Sequence, residues 1–417
     1  MPTKKRKGRN EEPNFIGIHH SFTTNLYSLE VFVKNVAPIA AKQDKAATKE
    51  ITRAVNQLSQ LIKTEEKNKR TSAPKLDNKK ILQEIYSIAK KLPHIPLAQA
   101  ELLYRSSFIM LISYFDFLLS DLIHYFYKKY PDSLSGKELP LKLSELKLLG
   151  SIDDAVDYVV HKEAESVLYD SLKGQIKYLK NTLKIDTKDN IINWNKLTES
   201  MERRHITVHN DCKINRRYLN NVDLSQIPEK TKGIKEGTKI RITEKYFRGV
   251  LEEICVAGLV LLQVCWRKWE GDDTGDADTR LITDIYDILV KEDWACAERL
   301  GLFSKECDVK DHADRLILDI NYCQSLKWQG KQDKLEEEIK KFDISALSPR
   351  FILAVCALKS DRDGFYSNVE NAIVVDGMQE EHFMEWPLFR ELRKDADYGD
   401  KIHSILTSIS AKRKTTH

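Results

Sequence analysis

Glycine and proline are scarce in this chain, and their scarcity constrains the fold more than any other feature. Only 16 glycines and 11 prolines occur in 417 residues. Sheet sandwiches, barrels and collagen-like chains need these residues at their turns, because glycine permits and proline fixes the required backbone angles. Since 41% of the residues are apolar, the chain can also bury at least one sizeable core. The sequence therefore predicts an all-α protein.

Apolar residues recur at three- and four-residue spacing, which is the period of one helix face. The strongest stretch, Pro96 to Tyr130, is apolar around much of its circumference, so we expect it to be central. Further helices are predicted at 21–67, 152–183, 193–209 and 244–269, and near 280–291, 294–302, 311–328, 332–341, 347–359, 365–374 and 387–394. The alternation at Ile240 and Ile242 permits a short strand.

The two parts of the chain differ in net charge. The first 270 residues carry 46 Lys and Arg against 33 Asp and Glu, whereas the remainder carries 21 against 30. A basic region suits a polyanionic partner, although ordinary surface charge is the alternative. The acidic stretch GDDTGDADT is typical of a linker. The predicted organisation is a basic flexible tail at 1–20, an N-terminal helical extension at 21–75, a helical bundle at 76–270, a linker at 271–279 and a helical-repeat-like domain at 280–417.

The cysteines and the apolar runs indicate the cellular compartment in which the protein works. The seven cysteines form no CxxC pair, which favours a reducing environment without a disulfide framework. The basic N-terminus is followed by no apolar segment of a secretory signal. The longest uninterrupted apolar run, 254–262, is far shorter than the ~20 residues of a membrane span. We expect a cytoplasmic protein without a membrane partner.

One short stretch, ERRHITVHND at 202–211, concentrates chemically useful side chains. Histidine can act as general base or acid near neutral pH, and arginine presents a fixed positive fork to phosphate oxygens. Together they can cleave RNA by transesterification without a metal, so no cofactor is predicted. Positions 204 and 209 lie about 140° apart around a helix, and a long arginine side chain or a symmetry-related copy would close that gap.

Other interpretations of this stretch remain open. Arg204 and His209 could be a structural ion pair or a helix end capped by the residues that follow. His205 and His209, four residues apart, could bind zinc with Glu202 or Asp211, although the adjacent arginines would repel a dication. No metal site is therefore predicted.

The stretch resembles the signature of the HEPN superfamily (higher eukaryotes and prokaryotes nucleotide-binding). Arg204 and His209 form an R-x4-H element, with His205 in a slot that is usually polar in that family. The resemblance extends to KINRRYL at 213–219, to the long helix LLYRSSFIMLISYFDFLLSDLIHYFY and to SIDDAVDYVV, over about residues 80 to 268. Cys212 departs from the pattern, because related sequences often have glycine there.

The resemblance implies a helical bundle that dimerises and joins two motifs into a metal-independent endoribonuclease site. Such domains occur in toxins and in antiphage abortive-infection systems. Carried over, His209 would be the general base or acid and Arg204 the transition-state cation, with His205 and Asn210 shaping the site. The basic residues that we expect to contact RNA are Arg203, Lys213, Arg216 and Arg217.

The C-terminal part is expected to bind a protein regulator or trigger. Paired short helices with small residues at close contacts suit an α-solenoid, and EWPLFRELRKDADYGDKI resembles the closing unit of tetratricopeptide-like arrays. The alternative function is a non-catalytic protein that dimerises through the bundle and binds a partner through the repeats. Nucleotidyl transfer is a third possibility, but the chain has no glycine-rich phosphate loop.

Overall fold

The structure is a computed structural model that describes residues 14–70, 82–83, 85–87, 98–134, 144, 149–226, 234–271 and 274–415. The fold is all-α, as predicted, and the described residues contain no strand beyond an isolated bridge between Lys213 and Lys239. The helices are α1 (Phe15–Arg70), α2 (Gln99–Lys129), α3 (Ile152–Tyr169), α4 (Leu172–Asn181), α5 (Trp194–His209), α6 (Arg216–Asn221), α7 (Glu244–Trp269), α8 (Gly275–Val290), α9 (Trp294–Ser304), α10 (His312–Trp328), α11 (Gln332–Ile339), α12 (Pro349–Lys359), α13 (Arg362–Asp376), α14 (Glu380–Glu385) and α15 (Tyr398–Thr415).

The chain divides into two compact units, at places that differ from the predicted linker. The first unit comprises Met1–Tyr178 and Trp194–Ile254, and the second comprises Leu179–Asn193 and Cys255–His417. The predicted linker 271–279 is wrong from Gly275 onward, because α8 begins there. Ala277 and Asp278 are buried, and Arg267 of α7 donates to the Asp278 carboxylate at 2.6 Å. This part of the acidic stretch is thus a packed helix start.

Helix α1 begins earlier than the sequence predicted. Residues 15–20 are helical, and Phe15 and Ile18 are buried, so they are not part of a flexible tail. On α1, Leu26, Leu29 and Val33 are buried, and the helix packs against α2. Residues 1–13 and 71–75 of the predicted tail and extension lie outside the described residues.

The far half of α1 contacts α2 through a carboxylate. Asp44 accepts hydrogen bonds from the backbone nitrogens of Gln99 (2.6 Å) and Ala100 (3.0 Å). The first amides of a helix have no partner within the helix, and a carboxylate satisfies them while its charge complements the helix dipole. The start of α2 is therefore fixed by a residue 55 positions earlier.

Helices α2 and α7 are long and apolar, and both predicted helices are confirmed. On α2, Leu111, Phe115 and Leu122 are each fully buried. By length and composition, α2 and α7 could each cross a membrane, but 50% and 72% of their apolar windows are buried inside the structure. Core helices pass the same test, so this is weak evidence for a membrane.

The predicted helix 152–183 is in fact two helices. Helix α3 ends at Tyr169, and Asp170 adopts an extended conformation (ψ 166°) before α4 begins at Leu172. The Asp170 carboxylate accepts a hydrogen bond from the Ser171 backbone nitrogen at 2.6 Å. Aspartate competes for backbone donors in this way, which interrupts helices.

The second unit consists of short helices with a common core. Most predicted segments from 280 to 376 are helical, as α8 to α13. The segment 387–394 instead contains two 3₁₀ turns, Pro387–Arg390 and Leu392–Lys394, and α14 and α15 were not predicted. The core that joins α10 to α15 includes Leu326, Leu353, Phe365, Phe389 and Ile402.

Candidate active site

Helix α5 carries the predicted motif and ends at His209. The Ile206 carbonyl accepts hydrogen bonds from the backbone nitrogens of Asn210 (2.9 Å) and Cys212 (3.0 Å). Asp211 and Cys212 follow in left-handed conformations, with φ of 47° and 61°. Left-handed backbone favours glycine, so the turn keeps a glycine-type geometry although a buried cysteine occupies it.

Arg203 is sealed inside the first unit, and its predicted contact with RNA is wrong. Its side chain is 0% exposed, its Nε donates to Glu199 at 2.7 Å, and its guanidinium carbon lies 3.8 Å from the ring centroid of Tyr246. Tyr218 and Tyr246 donate their hydroxyls to the same Glu199 carboxylate at 2.5 and 2.6 Å. Burial raises the pKa of both tyrosines, so both remain donors. We call these four residues the sealed network.

Arg204, the next residue, has a different environment. It is half-buried, and its Nε is buried without a hydrogen-bond partner among the described residues. The carboxyl group of Asp116, on α2, is close enough to Arg204 for the charge of the guanidinium to affect it. Burial raises the pKa of Asp116 to about 6, and the positive charge of Arg204 opposes that rise. Asp116 is therefore a carboxyl group that can exchange a proton near neutral pH.

His205 and His209 lie together on the outer side of α5, as their spacing of four residues requires. Their ring centroids are 4.8 Å apart. Burial lowers the pKa of His205, and the positive charges of Arg217 and His209 lower it further. His205 therefore stays neutral at neutral pH. His209 is exposed and open to a ligand. We call Arg204, His205, His209 and Asp116 the open cluster.

The remaining predicted RNA-contacting residues differ in their availability. Lys213 and Arg216 are exposed, and Arg216 pairs at the surface with Glu236 at 3.2 Å. Arg217 is half exposed, but it binds the buried Glu202 carboxylate at 3.1 Å. Lys213 and Arg216 keep charges available to phosphate, whereas Arg217 chiefly neutralises Glu202.

The turn after His209 is held from two directions. Asn210 donates its Nδ2 to the Lys213 carbonyl at 2.6 Å, which stabilises the turn. Arg105 of α2 binds the Asp211 carboxylate at 3.2 Å and the Thr207 carbonyl at 3.5 Å. Lys239 also binds Asp211, at 3.0 Å, and its hydrogen bond and charge lower the pKa of that carboxyl.

The zinc alternative finds little support in this geometry. Within the described residues, no group of three or more His, Cys, Asp or Glu side chains is placed to hold a metal ion. Of the two suggested third ligands, Glu202 is occupied by Arg217 and Asn221, and Asp211 by Arg105 and Lys239.

Sequence reasoning missed Asp116, Glu199 and Arg105. A signal for Asp116 existed, because an aspartate inside the apolar run LISYFDFLL must be either paired or functional. Glu199 lies four residues before Arg203, a spacing that predicts an ion pair on one helix face. No comparable local signal marked Arg105, whose partner is 106 residues away.

Comparison with family models, with curated proteins and with solved structures finds no match to this chain.

Proposed function

We propose that the chain is a metal-independent endoribonuclease that cleaves RNA by attack of the 2′-hydroxyl on the adjacent phosphorus. The observation that carries the proposal is the contrast on α5 between Arg203, whose hydrogen bonds are made inside the protein, and Arg204, whose buried Nε finds no partner in the described part of the chain. A buried unpaired donor is costly unless a ligand supplies its acceptor. A phosphate oxygen is an acceptor that suits a guanidinium.

The histidines supply the proton transfers. His205 is neutral at neutral pH and can accept the 2′-hydroxyl proton as the new P–O bond forms, while His209, exposed at the helix end, would in its protonated form donate a proton to the 5′-oxygen as its bond to phosphorus breaks. Arg204 would stabilise the charge that develops on the phosphate oxygens. Asp116 would orient Arg204, and its proton exchange near pH 6 would tune that charge pair.

A second copy of the chain is part of the proposal, because exposed apolar side chains accompany the open cluster. Val208, next to His209, is 46% exposed, and Phe117, next to Asp116, is 55% exposed. Such side chains beside polar groups are typical of an interface. The expected species in solution is a homodimer, and Phe117→Glu should shift its sedimentation to that of a monomer.

The test is cleavage of a synthetic RNA in EDTA. The wild type should leave 2′,3′-cyclic phosphate ends, and His209→Ala and Arg204→Ala should each lower the rate by about 10²–10⁴-fold. His312→Ala and Arg248→Ala replace exposed residues elsewhere and serve as matched controls. Cleavage that needs added metal, or that survives in His209→Ala, contradicts the proposal.

A role as a toxin or antiphage effector, acting in the cytoplasm, rests on the HEPN resemblance. Expression of the wild type should arrest growth of a bacterial host, whereas His209→Ala should not. If both arrest growth equally, the toxic activity lies elsewhere in the chain, and the non-catalytic alternative gains support.

A further inference from the structure

A cleft of about 500 Å³ opens in the second unit, and none of its lining residues belongs to α5. Its size is in the range of small-ligand and peptide sites. Helices α8 and α10, the start of α12 and the segment 376–386 form its sides. Its apolar walls are Ile282, Tyr286, Ile317, Phe351, Met378 and Trp386.

Two hydrogen-bond donors in the cleft are buried and unpaired. Asn321 is only 2% exposed, and its Nδ2 has no partner among the described residues. The Nε of Arg350 is likewise buried without a partner. Asp376 does not satisfy that Nε; its carboxylate accepts the backbone nitrogen of Arg350 at 2.7 Å. Buried donors without a partner cost free energy, so acceptor oxygens of a bound ligand would stabilise both of these groups.

The charge of the lining excludes an anionic ligand. Asp376, Glu381 and Glu385 contribute three carboxylates, against the guanidinium of Arg350 and the imidazole of His382. Burial raises the pKa of Tyr286, and the nearby charge of Glu385 raises it further, so this phenol remains a neutral donor. Phosphate groups, and therefore RNA, would be repelled at the opening.

Glu381 and Glu385 are exposed and lie four residues apart on α14, on one face of that helix. Trp386 follows directly and presents an indole to the same opening. Carboxylates beside an aromatic ring are suited to an ammonium or guanidinium group, through charge pairing and cation–π attraction.

We propose that this cleft binds an extended segment of a partner protein that carries a lysine or arginine. Two backbone carbonyls of the segment accept hydrogen bonds from Asn321 and Arg350. An apolar side chain packs against the apolar walls. The basic side chain lies between Glu381 and Glu385, beside Trp386. A polypeptide supplies neutral acceptors, apolar surface and a positive charge together. The inference does not depend on RNA cleavage by the first unit.

The experiment pans a phage-displayed random heptapeptide library on the full chain. Enriched peptides should contain lysine or arginine next to an apolar residue. A selected peptide, synthesised with a fluorophore, should bind the wild type and should lose at least tenfold in affinity on Asn321→Leu and on the double variant Glu381→Gln, Glu385→Gln. The matched control is Glu336→Gln, Glu337→Gln, which removes two exposed carboxylates from α11 outside the cleft.

Thermal melting separates lost binding from lost folding. Asn321→Leu removes an unpaired donor, so its melting temperature should equal or exceed that of the wild type. The proposal is overturned if no peptide is enriched over the bare support, if enriched peptides lack a basic residue, or if the selected peptide binds all variants equally. It is also overturned if polyuridylate RNA displaces the peptide, or if the cleft variants merely dissociate a dimer.

Discussion

The sealed network and the open cluster lie on the same helix and begin at adjacent residues, yet they are built in opposite ways. In the sealed network, Glu199 accepts hydrogen bonds from one arginine and two tyrosines, at 2.5 to 2.7 Å. In the open cluster, the buried Nε of Arg204 has no partner within the residues that the structure describes, and Asp116 has a raised pKa. Buried polar groups whose hydrogen bonds are all made within the protein stabilise a fold, whereas buried groups that lack a partner can bind a ligand. Arg203 therefore has a structural role, and Arg204 is the neighbouring arginine that is available for the proposed chemistry.

The largest expected effect separates the two arginines. Arg203→Met should lower the free energy of unfolding by about 3–5 kcal/mol, because it leaves the Glu199 charge buried and uncompensated. Arg204→Met should change stability by less than about 1 kcal/mol while lowering RNA cleavage by about 10²–10³-fold. Urea unfolding and initial cleavage rates measure both. If Arg204→Met is the more destabilising variant, the assignment is reversed.

A second change tests the tyrosines of the sealed network. Tyr246→Phe removes one donor from the Glu199 carboxylate, and a hydrogen bond to a charged group contributes about 1.5–3 kcal/mol. Stability should fall by this amount while the cleavage rate of the folded fraction stays unchanged. Tyr286→Phe, in the second unit, is the matched control. A loss of cleavage without a loss of stability would place Tyr246 in the site.

In the open cluster, removing the Asp116 charge should raise the free energy of unfolding at neutral pH, whereas the substitutions in the sealed network should lower it. The pKa of Asp116 is about 6 in the folded chain against 3.8 in the reference state. The folded state therefore holds this proton more tightly, and the wild type loses stability as the pH rises from about 4 to about 6. Asp116→Asn has no such proton to lose. It should be more stable than the wild type at about pH 7.5, by on the order of 1–3 kcal/mol, and no more stable at about pH 4.

Thermal melting of Asp116→Asn across this pH range is the measurement. Asp157→Asn, on α3, removes an exposed carboxyl group and is the control. Equal melting curves for Asp116→Asn and the wild type at every pH would mean that Asp116 is not destabilised by its position.

The smallest effect concerns the turn that ends α5. Cys212 has φ 61°, so Cys212→Gly should be more stable than Cys212→Ala by about 0.4–1 kcal/mol, since alanine resists a left-handed backbone. Both variants lose the buried sulfur, so their difference isolates the backbone. Equal stabilities from denaturant titration would contradict the role assigned to this turn.

Much of the fold could be predicted from sequence, because helical periodicity is local. Helices α5 and α7 lie within one residue of their predicted bounds, and the apolar face of α2 is buried as expected. The break at Asp170 was missed because the apolar period continues across it. The start of α8 was missed because an acidic helix beginning resembles a linker in composition.

The site was predictable only in part, for a geometric reason. Arg203 and Arg204 are chemically identical and differ by about 100° around the helix, so their fates depend on what each direction faces. Arg203 lies against Tyr246, 43 positions along the chain, and the charge of Arg204 acts on Asp116, 88 positions before it. Such pairings require the tertiary structure. The HEPN assignment and the RNA-cleaving activity stay predictions.

Arg105 holds the exposed end of α5 in a fixed backbone conformation. The terminal turn of a helix ordinarily frays within nanoseconds, and a residue at its tip samples many orientations. Here one guanidinium from another helix grips the chain on both sides of His209, at Thr207 and Asp211. The backbone that carries His209 is consequently held in one position before any molecule arrives, and the entropy of ordering that turn is lost when the protein folds instead of when it meets its target.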